Sequence, residues 1–423
     1  MLYRPYPAQS TLTSTRDKPQ ACCAGRNCCA EPRSRPDQTQ TRSNLWLGEL
    51  SRAFPKLAVG VLLNRTGNFM LTSSRLTVAY FLVFFPLIAF SADRFSPRDP
   101  SVVNAANFPG ADIGEQINTA YASLPARGGV IMLIESSSFS TPIVFAQNGK
   151  PALLIGLPGD VVTLTYTGAG GTAMTFDCGT GHRMGYGVRD LTLTGPGNAS
   201  NTTGVVFGGA NGAEGIAFRD FKIQSFGTNL QMGSHTWLVQ FEHGMVRDGG
   251  VNVLLPSGLV QAGEQIVFDH VTFADAPPPN TNSVWVQGGG QEIVFTDCSF
   301  DQAQLRIGNN SVSAAQVVVK GSHFENPGYA TPGAVNYDYV VVDNNGGNLL
   351  RVTDSYFLQD APSLGPSRFM LLSGGRVVIC GVGMYTPAGS PLQNFALLLN
   401  SATLDAYGFN DLSGNITSGA FGY

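Results

Sequence analysis

The sequence predicts an all-β solenoid whose coils stack as parallel strands, closed at its N-terminal end by a helix. Three observations carry this. An eight-residue phrase, IVFDHVTF at 266–273, returns as IVFTDCSF at 293–300, an offset of 27 residues; that is long for a hairpin and the size of one unit in a repeat array. Charged residues make up 13% of the chain while glycine reaches 51 of 423 residues, the composition of many short strands and tight turns with a neutral polar surface. One stretch, ADIGEQINTAYASLPARGGVIMLIE at 111–135, passes from a helical period to an extended one.

From the N-terminus, residues 1–69 are rich in basic residues and hold four of the seven cysteines, in ACCAGRNCC. At Met70 begins MLTSSRLTVAYFLVFFPLIAFSADRFSP. Arg75 supplies a basic start, Leu76 to Phe90 an apolar stretch, and Ala89-Phe90-Ser91 a small-x-small cleavage site, the pattern of a secretory signal peptide. The apolar run contains Pro86 and is short for the roughly 20 residues a membrane span needs. The expectation is a signal peptide over 70–92, translation starting at Met70, and residues 1–69 a mis-assigned or disordered extension. The competing reading is a cytoplasmic tail ahead of a membrane anchor. A linker at 93–110 and the repeat domain at 111–423 complete the expected organisation, with no stable membrane span after cleavage and a secreted or cell-surface location.

Residues 1–92 contain 11 of the 25 Lys/Arg and 4 of the 29 Asp/Glu, leaving 14 and 25 in 93–423, a net charge of −11. An acidic domain with three lysines is a poor partner for nucleic acid, which needs a basic patch, and a poor unassisted partner for a polyanionic polysaccharide. Three widely spread cysteines, Cys178, Cys298 and Cys380, do not make a disulfide framework. Cys298 and Cys380 fall three coils apart, about 14 Å by strand spacing, too far to bridge each other, and both are expected to be free.

The helix over 111–124 places Ile113, Ile117 and Tyr121 on one face. It ends before Pro125, and a Gly128-Gly129 turn leads into the first strand; a solenoid needs its first coil covered, which a helical cap does. The repeated phrase then reads apolar-x-apolar-x-polar-x-x-apolar at 186–193, 216–223, 239–246, 266–273, 293–300, 317–324, 350–357 and 377–384. Its last residues, Leu193, Ile223, Val246, Phe273, Phe300, Phe324, Phe357 and Met384, are spaced by 30, 23, 27, 27, 24, 33 and 27. Between the phrases lie second β-like runs at 204–207, 229–232, 251–255, 283–286, 304–307, 339–342, 369–372 and 395–399, set off by Gly, Asn, Pro and Ser. Each unit therefore reads strand, turn, strand, turn. No unit of this size buries its apolar face alone, but stacked coils bury a continuous core and satisfy one another's backbone.

The short helix, LPARGGVIMLI (124–134) and coils of the VRDLTL and IVFDHVTF kind resemble the pectate-lyase superfamily of right-handed single-stranded parallel β-helix proteins, over roughly residues 105–400. The resemblance implies that fold and a carbohydrate-active protein acting on a polysaccharide, of the polysaccharide lyase or glycoside hydrolase type. Family motifs are present only in fragments. The polygalacturonase set of NTD, paired Asp, GHG and RxK is absent as a set, its nearest pieces being Glu242-His243-Gly244 and Gly233-Ser234-His235. Val267-Phe268-Asp269-His270 echoes one element of the calcium-dependent lyases without the Arg-Pro-Arg that accompanies it.

Columns of the stack nominate the site. The fifth position of the phrase carries Asp190, Asp220, His243, His270, Asp297, Gly321, Asp354 and Gly381; the fourth carries Arg189, Arg219, Glu242, Asp269, Thr296, Lys320, Thr353 and Cys380. His243 and His270 then stand on neighbouring coils, each preceded by a carboxylate, with Arg219 beside Glu242. One reading is an acid/base patch of Glu242, His243, Asp269 and His270, with Arg219 and Arg247 positioning a sugar. The other is a ladder of turn residues with surface ion pairs, since Asp, His and Gly are what a bend needs. A lyase on uronates also needs its substrate carboxylate neutralised, and the acidic domain favours calcium for that task. No metal ligands are singled out: Asp343-Asn344-Asn345-Gly346 lacks the downstream Glu of an EF-hand loop. Trp237, Trp285, Tyr329, Tyr337 and Tyr339 either stack on sugar or fill the core, and His182 lies in a Gly-rich turn. The alternative to an enzyme is a non-catalytic glycan-binding or adhesin-like structural rod.

Overall fold

Stacking of the phrase dictates the architecture, and the computed structural model shows it register for register. Ile216 pairs in parallel with Val239, Val239 with Ile266, Ile266 with Ile293, Ile293 with Val317, Val317 with Leu350, and Leu350 with Val377. The structure describes residues 101–146, 150–157, 162–179, 185–274, 283–288, 292–309, 314–325, 338–343, 347–358, 368–385, 394–408 and 410. The expected extension, the signal peptide and residues 93–100 of the linker lie outside them. The strands form an 18-stranded and a 10-stranded parallel sheet, wound as a right-handed parallel β-solenoid.

The coil departs from the two-strand unit read in the sequence: it has three strand segments, because the phrase bends at its fifth residue. Asp190, Asp220, His243, His270, Asp297 and Asp354 have φ between 51° and 53°, and Gly321 and Gly381 have 62° and 67°. This left-handed region is the one that Gly enters freely and that Asp, Asn and His enter most readily among residues with a Cβ. The bend also resets the alternation of side chains. Phrase positions one, three and eight point inward, as at Ile266, Phe268 and Phe273, all at 0% exposure, while the fourth and fifth turn outward together. The first half of each phrase lies on one face, the second half on another, and the runs between phrases on a third, Thr202–Phe207 and Thr228–Met232 among them.

Inside, like stacks on like. Phe241, Phe268 and Phe295 lie nearly parallel, with ring centroids 4.5 and 5.1 Å apart; Phe300, Phe324 and Phe357 do the same at 4.4 and 4.7 Å. Buried polar groups form their own ladder at the corner before the third face. Asn229 Nδ2 donates to Asn252 Oδ1 at 2.7 Å, and Asn252 Nδ2 donates to Ser283 Oγ at 2.7 Å. Each Asn also accepts a corner amide, from Phe226 and Gly249, so the corner backbone is satisfied without water.

The cap is helix α1 (Ile113–Ser123), with Ile117 at 0% and Tyr121 at 3% exposure against the first coils. Asp112 caps it by accepting from Glu115 N at 3.0 Å, and its other oxygen accepts from Ser140 N and Thr141 N, tying helix to solenoid. Lys150 Nζ donates to Ala122 O near the far end. Cys178 and Cys298 are free, buried thiols, which burial pushes up to about 11 and about 12, so neither is a nucleophile. Cys380 is disulfide-bonded, so the expectation of a free Cys380 is corrected.

Candidate functional site

Five of the six nominated residues fall on one outward ridge beside the bend. Arg219 and Glu242, opposite each other on neighbouring strands, form a two-pronged ion pair at 2.9 and 3.2 Å. His270 Nδ1 stands 2.9 Å from Oδ1 of Asp269, and the His243 and His270 rings are 5.3 Å apart at 34°. Both imidazoles are exposed. Arg247 is not part of this ridge: it lies four residues beyond the bend, about 13 Å along its strand, where it pairs with Asp248 at 2.9 Å. Local conformation accounts for the histidines, since each occupies the left-handed corner that its column requires.

A second feature on the same first face escaped the column reading. A groove of about 500 Å³ is lined by Glu264, Glu292, Gln316 and Arg351, with apolar side chains of the Gln316–Lys320 and Leu349–Thr353 strands forming its floor. These residues come from four successive coils, so the groove runs about 14 Å along the stack. It presents two exposed carboxylates and one exposed guanidinium to solvent. Glu264 lies on the strand that also carries Asp269 and His270, Glu264–Ala274. A signal was there: GEQIVF and GQEIVF place a Glu just ahead of two consecutive phrases.

A third cluster sits on the second face. Ser299 and Asp301 alternate outward on one strand, His323 and Glu325 on the next, in the register Ser299↔His323 and Asp301↔Glu325. Ser299 Oγ is 2.8 Å from His323 Nε2 and also bonds Asp301, while Asp301 Oδ1 lies 3.4 Å from the same ring nitrogen. Tyr356 stacks on His323 at 5.3 Å and 13°. Partial burial pushes the Asp301 carboxyl up, but the hydrogen bonds from His323 and Ser299 outweigh it and hold the group below the usual range.

The other nominated aromatics divide. Tyr339 is core at 0% exposure. Trp285 spends its indole N–H on Gly308 O at 2.9 Å and lies under the Arg306 guanidinium, which in turn pairs with Asp343 at 2.8 Å. Tyr329, Tyr337 and His182 lie outside the described residues.

The fold places the chain in the class of right-handed parallel β-solenoids, the architecture shared by tailspike and pectate-lyase-like β-helix proteins. No protein-family model matches the chain. It is similar to an uncharacterized 65.4 kDa protein in the cps region of Klebsiella pneumoniae, 29% identical over 144 residues, covering 34% of this chain and 22% of that protein. It is also similar to a K2-specific capsule depolymerase of Klebsiella phage vB_KpnP_KpV74, 25% identical over 182 residues, covering 41% and 29%. The chain thus matches less than a third of the length of either relative. Among solved structures, the enzymatically active domain of tailspike protein 4 from bacteriophage CBA120 superposes with a TM-score of 0.57 at 16% identity, over 74% of this chain and 45% of that one.

Proposed function

We propose that the chain is a carbohydrate-active β-helix protein that cleaves a surface polysaccharide, with the groove on its first face as the binding and reacting site. The observation that carries this reading is the groove itself: two carboxylates, Glu264 and Glu292, and the guanidinium of Arg351 line one open channel across four coils. Two carboxyl groups flanking a sugar chain are the minimum for acid/base cleavage of a glycosidic bond, and a guanidinium suits an acidic sugar. The depolymerase relative supports the substrate class. In this reading Glu264 and Glu292 share the acid and base roles, Arg351 and Gln316 hold the chain, and the ridge of Glu242, His243, Asp269 and His270 borders the polymer further along the same face. Calcium assists where the substrate is a uronate. Secretion through the 70–92 segment belongs to the same reading; among the described residues no helix is long and apolar enough to cross a membrane.

A second reading, a glycan-binding rod without catalysis, draws support from the left-handed bend, which accounts for His243 and His270 without chemistry. The test incubates the protein with capsular and plant polysaccharides, with and without calcium, following reducing ends and the ultraviolet absorbance of unsaturated uronates. Activity lost in Glu264→Gln and Glu292→Gln but kept in the His243→Ala/His270→Ala double variant supports the groove. The opposite pattern moves the chemistry to the ridge. Silence on every substrate, with glycan binding retained, favours the rod.

A further inference from the structure

We propose that Asp301, His323 and Glu325 form a binding site for one divalent transition-metal ion of the zinc class, on the second face and apart from the groove. One donor atom from each of the three residues can be chosen so that all lie within 4.8 Å of one another, close enough for a single ion to reach all three. The arrangement follows from the register. Residues i and i+2 of a strand point the same way, and the next coil repeats them one strand spacing away. Ser299, Asp301, His323 and Glu325 thus occupy the corners of a small rectangle, three metal donors and a hydroxyl.

Its base is rigid. Phe300 and Phe324, the residues between the corner pairs, stack beneath it at 4.4 Å and 10°, and the Tyr356 ring braces the imidazole from the following coil. Preformed donors on packed strands lose little entropy on binding an ion.

The contacts separate this reading from a Ser-His-Asp proton relay. A relay needs the serine and the carboxylate on opposite ring nitrogens. Here Ser299 Oγ and Asp301 Oδ1 both face Nε2 of His323, at 2.8 and 3.4 Å. Imidazole nitrogen and carboxylate oxygen converging from neighbouring corners is what a metal centre uses: two donors held at about 2.1 Å in tetrahedral geometry stand about 3.4 Å apart. One nitrogen and two carboxylate oxygens suit a borderline ion such as Zn²⁺ over Ca²⁺, which takes six to eight oxygens. Two carboxylates balance its charge, and because the side chains of His323 and Asp301 are 31% and 39% exposed, water completes the shell. A second set, Asp269, His270 and Asp297, has the same composition, but two of its three residues are exposed, whereas Asp301, His323 and Glu325 are all half-buried.

The experiment strips the full chain of metal with a chelator and titrates Zn²⁺ by calorimetry, with a Co²⁺ visible spectrum as a second readout. The expected result is one ion per chain, at least tenfold weaker in His323→Ala and in Glu325→Gln and unchanged in His270→Ala, with Zn²⁺ raising the melting temperature of the wild type but not of His323→Ala. Binding that survives His323→Ala, binding lost in His270→Ala, or no binding at all overturns the proposal. Circular dichroism of each variant confirms that its coils are intact.

Discussion

Replacing His270 by Val, Asn and Gly in turn separates backbone demand from chemistry at the bend. Its φ is 53°. The left-handed region costs a residue with a Cβ roughly 1–2 kcal/mol, and His and Asn bear less of that than a β-branched residue does. His270→Val should therefore lose about 1–2 kcal/mol of stability. His270→Asn should stay within about 0.5 kcal/mol of the wild type. His270→Gly gains from the free corner what it loses to a more flexible unfolded chain, within about 1 kcal/mol. The contact with Asp269 does not obscure the comparison, because both side chains are well exposed, 53% and 40%, and such pairs contribute about 1 kcal/mol at most. Urea titrations followed by circular dichroism, with a common slope, read the differences. Val tolerated as well as Asn would show that the corner does not select its residue, and the reasoning would fail. Equal destabilisation by Asn and Val would mean that the imidazole itself matters.

Two further outcomes follow from the cap and the corner ladder. The Asp112 carboxyl is raised by partial burial but lowered further by the amides of Ser140, Glu115 and Thr141, reaching about 2 from an ordinary 3.8. A folded value below the unfolded one stabilises above the unfolded value and ceases to as pH falls through the folded one. The stability gap between wild type and Asp112→Asn should accordingly be full above about pH 5 and shrink between pH 4 and 2; denaturant midpoints across that range check it, and a gap independent of pH would refute it. Asn252→Ala should cost about 2–5 kcal/mol, since it strips the Gly249 amide, the Ala274 carbonyl and Ser283 of a buried partner at once. Thermal unfolding reads this loss, and a shift no larger than that of an exposed Asn→Ala change would contradict the ladder's role.

Coil register was legible in the sequence because stacking forces each inward residue to repeat: Phe268 and Phe295 occupy one column in the chain and in the fold. The helix was legible from Ile113, Ile117 and Tyr121, and its end from Pro125. The bend was legible as one of two readings of the fifth column, because Asp, His and Gly share a backbone preference; what the pattern hid is that the bend splits each phrase into two strand segments. The groove and the Asp301–His323–Glu325 cluster were missed for a geometric reason. The eight-residue phrase ends before Asp301 and Glu325 and begins after Glu292 and Gln316, so none of the four stands in one of its repeating columns. Sites of this kind form across coils, from residues 22 to 35 apart in the chain, and no local pattern joins them.

The bend constrains an angle and leaves the side chain open among a few types that include an acid, a base and a neutral residue. Exchanging Asp for His at a corner changes the charge of a coil while leaving its path unaltered. A lineage carrying this scaffold can therefore redraw the electrical landscape of its surface one coil at a time without having to refold.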